Sequence, residues 1–234
     1  NNPDAALGHH WQDATHITFG VATLGLRYKI IKAEGSIFTG REPDESRYDF
    51  DKPRFDSYSY RLSANPNQNF SLQFSQGFIH SPEAFEPEAN ITRTTASLLH
   101  AKSLQHGKFI ATSFVWGMNH NSTGENLNSF LVESNLKLAP LGIYARYEFV
   151  QKDADELQLL HFENMPTFNL NAFTLGINKV LFTYFNTDLS LGLQGTINFP
   201  DENLKRIYGN NPLAGEVFLK IAPASMITHS TSTH

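Results

Sequence analysis

The sequence predicts an all-β protein, an antiparallel transmembrane β-barrel, on three observations. Apolar and polar residues alternate along about eleven segments, which is the period of a strand with two unlike faces. The links between these segments alternate between tight turns and long polar loops, as in barrels with short periplasmic turns and long outer loops. No segment carries a sustained helical period, and no apolar run reaches the ~18 residues that a membrane helix needs.

The first segment, Ile17 to Tyr28, begins with Ile17, Phe19 and Val21 on one phase and ends with Leu24, Leu26 and Tyr28 on the other. A bulge near Gly20 or Ala22 reconciles the halves. Ile31, Ala33 and Ile37 then oppose Lys32, Glu34 and Ser36. Between Phe55 and Ile79 the pattern is cleanest. Tyr58, Tyr60, Leu62 and Ala64 oppose Ser57, Ser59, Arg61 and Ser63, and Phe70, Leu72, Phe74 and Phe78 oppose Ser71, Gln73, Ser75 and Gly77. Asn65-Pro66-Asn67-Gln68 between them has the chemistry of a hairpin turn.

Thr94, Ala96 and Leu98 oppose Arg93, Thr95 and Ser97, and Ile110, Phe114, Trp116 and Met118 keep a single phase. Phe130, Val132, Leu136 and Leu138 oppose Glu133, Asn135 and Lys137. Leu141, Ile143, Ala145, Tyr147 and Phe149 oppose Arg146 and Glu148. A second slip of phase falls between Phe168 and Tyr184. Leu189, Leu191, Leu193, Ile197 and Phe199 then oppose Ser190, Gln194, Thr196 and Asn198, and Val217, Leu219 and Ile221 mark a last short strand.

Tight links are expected near Lys29, at Asn65 to Asn69, Gln105 to Lys108, Ala139 to Leu141 and Phe185 to Thr187. Long ones are expected at Gly40 to Arg54, His80 to Ile91, Asn119 to Asn126, Gln151 to Thr167 and Pro200 to Ala214. With the tight turns on the periplasmic side, the first and last strands both descend, which gives an odd total. Single-chain bacterial barrels have even totals. The expectation is therefore at least twelve strands in the complete barrel, with one or more ahead of Asn1 or an irregular one within residues 1–15. The chain reads as one barrel domain: 1–15 an outer-side lead-in or irregular strand, 16–222 strands and loops, and 223–234 a tail. The absence of a signal peptide at the start suits a processed or truncated product.

Charged residues make up 18% of the 234 residues, against the ~25% usual in soluble domains. The polar phase is instead rich in Ser, Thr, Asn and Gln, which suits a hydrated lumen. There are no cysteines, so disulfide and thiol chemistry are excluded. A net charge of -5 and the absence of phosphate-binding, zinc-finger or basic patterns argue against nucleic acid as a partner. Aromatic girdles are expected from Tyr28, Phe70, Phe109, Tyr184 and Phe185 beside the tight turns, and from Phe38, Phe78, Trp116, Phe149 and Phe199 near the long loops.

Lys32, Glu34, Arg61, Arg93, Glu133, Lys137, Arg146 and Glu148 share the polar phase, where they would line an aqueous path and set ion selectivity, or pair across a narrow interior. His9, His10, Asp13 and His16 form the densest group of metal-capable side chains, suited to a transition metal. No other cofactor is indicated. Glu42, Asp44, Glu45, Asp49, Asp51 and Asp56 are interleaved with Arg41, Arg47, Lys52 and Arg54, as in a loop paired internally. His80 with Ser81, and His120 with Ser122, supply the residue types of a serine nucleophile without its spacing.

Gly40-Arg41-Glu42-Pro43-Asp44-Glu45, Arg47-Tyr48-Asp49-Phe50-Asp51, Arg93-Thr94-Thr95-Ala96-Ser97 and Glu133-Ser134-Asn135 resemble an uncharacterised family of proteobacterial outer-membrane β-barrel proteins, in its C-terminal portion. The resemblance extends to about Pro223 and implies a further N-terminal portion. No catalytic residue comes with it. The tail from Ala224 to His234 departs from the aromatic ending usual in such barrels.

The expected function is that of a passive, porin-like channel or transport protein of the bacterial outer membrane, with the lipid bilayer, lipopolysaccharide and small solutes or ions as partners. The alternatives are an enzyme acting on lipid, an esterase or lipid A modifier, and a structural or adhesive surface protein.

Overall fold

Period-two alternation becomes one antiparallel sheet of 11 strands whose spatial order is the order of the chain. The computed structural model describes residues 2–12, 19–41, 52–82, 90–105, 107–122, 124–154, 156–157, 159 and 167–224. The strands are β1 (Phe19–Tyr28), β2 (Ile31–Thr39), β3 (Ser57–Asn67), β4 (Phe70–His80), β5 (Asn90–Ser103), β6 (Phe109–Asn121), β7 (Asn126–Lys137), β8 (Leu141–Lys152), β9 (Phe168–Tyr184), β10 (Thr187–Phe199) and β11 (Leu213–Pro223). A one-turn helix, α1 (His9–Gln12), precedes them. A 3-10 turn and a second one-turn helix, α2 (Lys205–Tyr208), lie between β10 and β11. This is the up-and-down order of a β-barrel wall.

Short and long connections alternate as the sequence predicts except at one place: the link expected to be long between Asn119 and Asn126 is a tight one, because β6 runs on to Asn121 and β7 starts at Asn126. Lys29, Phe185 and Asn186 have positive φ of 52°, 43° and 58°, and turns of that hand match the twist of the strands they join. The predicted bulge is present: the β1 to β2 register shifts between Phe19 and Ala22, and Gly20 has φ 63°, a region glycine enters without steric cost. The slip in β9 is present too, where Phe182 pairs with Leu189 but Val180 with Ser190.

Register puts the predicted faces together. Ile143 pairs with Ile177, Ile177 with Leu193 and Leu193 with Val217, so apolar side chains form a row across four strands. On the other face Glu34 pairs with Arg61, Arg61 with Ser75 and Ser75 with Thr95. Burial is inverted relative to a water-soluble sheet: Ile177, Leu193 and Val217 are 40%, 50% and 69% exposed, while Glu148 and Gln194 are 6% and 9% exposed. Leu72, Leu191 and Ile143 all lie on the apolar outer face, not in a dry centre.

Two aromatics correct the girdle expectation. Phe38 pairs with Ser57 and is buried, and Phe109 pairs with Ser103 and Lys137. Both sit one residue off the apolar phase and point to the inner face. Tyr28, Phe70 and Tyr184 by the tight turns, and Phe78, Trp116, Phe149 and Phe199 by the long loops, follow the outward phase.

The outermost strands, β1 and β11, both run from the long-loop rim to the short-turn rim, and among the described residues they do not pair with each other. Apolar clusters are small and lie toward the long-loop rim. One joins Trp11, Leu127 and Val150 with Leu170, and another joins Ala154, Phe168 and Leu204 with Leu157 and Leu159.

Candidate functional site

The inner face is a field of hydrogen-bonded polar groups with a segment of the chain laid across it. All eight charged residues singled out from the sequence are on this face. Lys32 Nζ lies 2.6 Å from Glu34 Oε1, and Arg146 Nε lies 2.6 Å from Glu133 Oε2. Arg93 Nε donates to Asn119 Oδ1 at 2.8 Å, and Asn135 Nδ2 donates to the other Glu133 oxygen at 2.9 Å. Arg61 projects exposed from β3, Lys137 stands at the short-turn end of β7, and Glu148 is buried on β8.

Residues 2–12, expected as an outer-side lead-in or irregular strand, hold no strand and lie against this face as a strap. Glu148 Oε1 accepts the Leu7 backbone N–H at 2.7 Å, and Arg146 Nη1 donates to the Asp4 carbonyl at 3.0 Å. Gln194 Nε2 donates to the Asp4 carboxylate at 2.6 Å and to Glu216 at 3.0 Å. Tyr144 donates its hydroxyl to Gln194 Oε1 at 2.8 Å, so β8 and β10 meet above β9. Farther along, Gln12 Nε2 donates to Ser129 Oγ at 3.2 Å, and Trp11 is fully buried against Leu127 and Val150. Gly117 makes this docking possible, because a Cβ there would collide with the Trp11 carbonyl.

Lys152 connects the strap to the rim. Its ammonium lies 5.3 Å from the centroid of the Trp11 ring and 3.5 Å from Glu156 Oε2. Burial raises the Glu156 carboxyl above its ordinary range, and Lys152 pulls it back.

Among the described residues the other candidates form no assembled site. His9 and His10 have ring centroids 4.2 Å apart, and His9 Nδ1 is 2.7 Å from the Ala6 carbonyl. Asp13 and His16 lie outside the described residues, and among the described residues no group of three or more metal-capable side chains occurs. Of the acidic loop, Glu42, Asp44, Glu45, Asp49 and Asp51 lie outside as well. Asp56 accepts the Gly40 N–H at 2.9 Å and the Ser57 hydroxyl at 3.1 Å. His80 Nδ1 is 2.8 Å from Asn90 Oδ1, and His120 Nδ1 is 2.9 Å from Asn126 Oδ1. Neither imidazole is joined to Ser81 or Ser122 among the described residues.

Sequence reasoning missed Asp4, Trp11, Asn119, Tyr144 and Gln194, which build the strap's seat. The available signal was Trp11 itself, a large apolar side chain isolated in a polar lead-in.

No family model and no curated protein matches the chain. Two crystal structures of one Pseudomonas aeruginosa protein, OpdO, also called OccK3, have 10% and 11% sequence identity to it. Each alignment covers 87% of this chain and 68% of the other, with a TM-score of 0.48.

Proposed function

We propose that this chain forms the wall of a bacterial outer-membrane β-barrel that passes small solutes or ions by diffusion. The observation that carries the reading is the inversion of the sheet, apolar side chains exposed on one face and ionic groups sheltered on the other. In water this arrangement is unfavourable, because exposed apolar area costs roughly 25 cal/mol per Å². Against hydrocarbon it is the stable one. Strand lengths from 9 residues in β2 to 17 in β9 meet the span required, about 9 to 11 residues for a tilted strand. Because β1 and β11 run the same way, antiparallel closure takes an odd number of further strands between them.

In this reading Lys32, Glu34, Arg61, Arg93, Glu133, Lys137, Arg146 and Glu148 line the lumen and set its ion preference. The long loops face outward toward lipopolysaccharide. His80 and His120 each turn Nδ1 to an asparagine, as the base of a serine esterase could, but neither is bonded to a serine hydroxyl among the described residues. A metal role for His9, His10, Asp13 and His16 is a separate proposal: alanine at His9 and His16 should abolish transition-metal binding by the intact protein, and unchanged affinity would reject it. The channel is tested in planar bilayers. Stepwise conductance with a defined ion selectivity is the expected result, and silence over repeated insertions would remove the channel reading.

A further inference from the structure

The strap is held as a ligand is held. Side chains of the wall engage its main chain, Glu148 through the Leu7 N–H, Arg146 through the Asp4 carbonyl and Asn119 through the His10 carbonyl at 3.4 Å. These contacts recognise a peptide backbone of any sequence. Two others read side chains: Gln194 takes the Asp4 carboxylate, and an apolar recess roofed by Lys152 takes the Trp11 ring.

The strap brings little structure of its own, since α1 is 4 residues long and an isolated turn of helix does not persist in water. Its conformation is therefore imposed by the wall. Nor is the fit complete. The Trp11 indole N–H and the Asn2 amide are buried without a hydrogen-bond partner, so the wall leaves two of the strap's own donors unsatisfied. A groove that recognises backbone, a carboxylate and an aromatic ring, and holds its resident at that cost, is suited to exchange.

We propose that the inner wall of β6 to β10 is a peptide-binding groove, occupied in this structure by Asn2–Gln12. It takes in exchange a peptide carrying a carboxylate and an aromatic ring at the spacing of Asp4 and Trp11. The proposal rests on reading this face as a water-filled interior open to solutes. It identifies the strap as an internal competitor for that peptide.

The test uses the full chain, which has no cysteine and 2 tryptophans. Trp116→Phe leaves Trp11 as the sole indole. Gln12→Cys with Ser129→Cys places two thiols where Gln12 Nε2 now lies 3.2 Å from Ser129 Oγ, so a short bis-thiol reagent locks the strap. A fluorescently labelled synthetic peptide of residues 1–12 with Trp11→Phe, which keeps an aromatic ring but no indole, is then titrated onto the folded protein in detergent.

The expected result is saturable binding to the reduced protein, a red shift of Trp11 emission as the strap leaves, and at least tenfold weaker binding to the locked form. A peptide with Asp4→Asn and Trp11→Ala should also bind at least tenfold more weakly. Equal binding to locked and reduced protein would overturn the proposal. So would absence of binding both to the reduced protein and to a folded variant lacking residues 1–12. Peptide exchange without conductance would remove the channel and leave the groove, and conductance without exchange would do the reverse.

Discussion

Between β8 and β11 the outer face carries Ile143, Ile177, Leu193 and Val217 in one paired row, whereas the inner face of the same strands carries Arg146, Thr174, Gln194 and Glu216. Backbone geometry and strand pairing are common to both, so the difference lies in the medium each must meet. The inner groups are bonded to one another and to the strap. Polar groups on the outer face are fewer, and those toward its middle are bonded sideways: Tyr60 donates to Gln76 at 2.6 Å, Gln76 to Thr94 at 3.0 Å, and Trp116 Nε1 to Asn128 at 3.1 Å, while the charges of Lys102 and Lys179 lie toward the short-turn rim. That is the solution expected where no water is available to satisfy them. In the proposed reading one face meets hydrocarbon and the other meets water.

The comparison breaks most visibly if a charge is placed on each face of one strand. Phe114 points outward and is exposed, and Ser113 beside it points inward next to Glu133. Phe114→Arg should lower stability in bilayers by about 2 to 4 kcal/mol, the cost of a mid-depth charge on the lipid face. Ser113→Lys should cost far less, and urea titration of folding into vesicles measures both. Equal losses would mean that the faces do not differ.

Arg146→Gln removes the guanidinium that holds Glu133 and the Asp4 carbonyl. A charge-assisted hydrogen bond contributes about 1.5 to 3 kcal/mol, and a loss in that range is expected, with ion selectivity shifted toward cations. Reversal potentials under a salt gradient read the second effect.

Glycine gives a finer contrast on the inner face. Gly117→Ala should displace the strap, at a cost near the ~1 to 3 kcal/mol of overpacking, and expose Trp11 to soluble quenchers. Gly77→Ala should be silent, since its added Cβ would come no closer than 3.6 Å to Ser59. Tyr60→Phe should have a small effect, about 1 kcal/mol for one neutral hydrogen bond, seen as a slight fall in the urea midpoint.

Much of this architecture was legible because strand faces are a local property. The alternation of Leu189 to Phe199 fixes which side chains share a face whatever their partners are. Turn chemistry located the strand ends closely: the long link expected at Gln151 to Thr167 lies between β8, ending at Lys152, and β9, beginning at Phe168. The eight inner charges followed from the same parity. Their pairing did not, because Glu133 meets Arg146 and Arg93 meets Asn119 only through the register of β7 on β8 and of β5 on β6.

The strap was the least legible part. Asp4 and Gln194 are separated by 190 positions, and a one-turn helix gives no periodicity to read. Phe38 and Phe109 show the limit of reading aromatics by their nearness to a rim, since phase along the strand decided their direction.

The two tryptophans test the central claim most directly, because Trp116 lies on the outer face and Trp11 is sealed on the inner one. With Trp11→Phe and Trp116→Phe variants in vesicles of brominated phosphatidylcholine, acyl-chain bromine should strongly quench Trp116 and leave Trp11 bright. Quenching of Trp11 with Trp116 unaffected, or the same response from both, would contradict a sheet whose apolar face meets hydrocarbon.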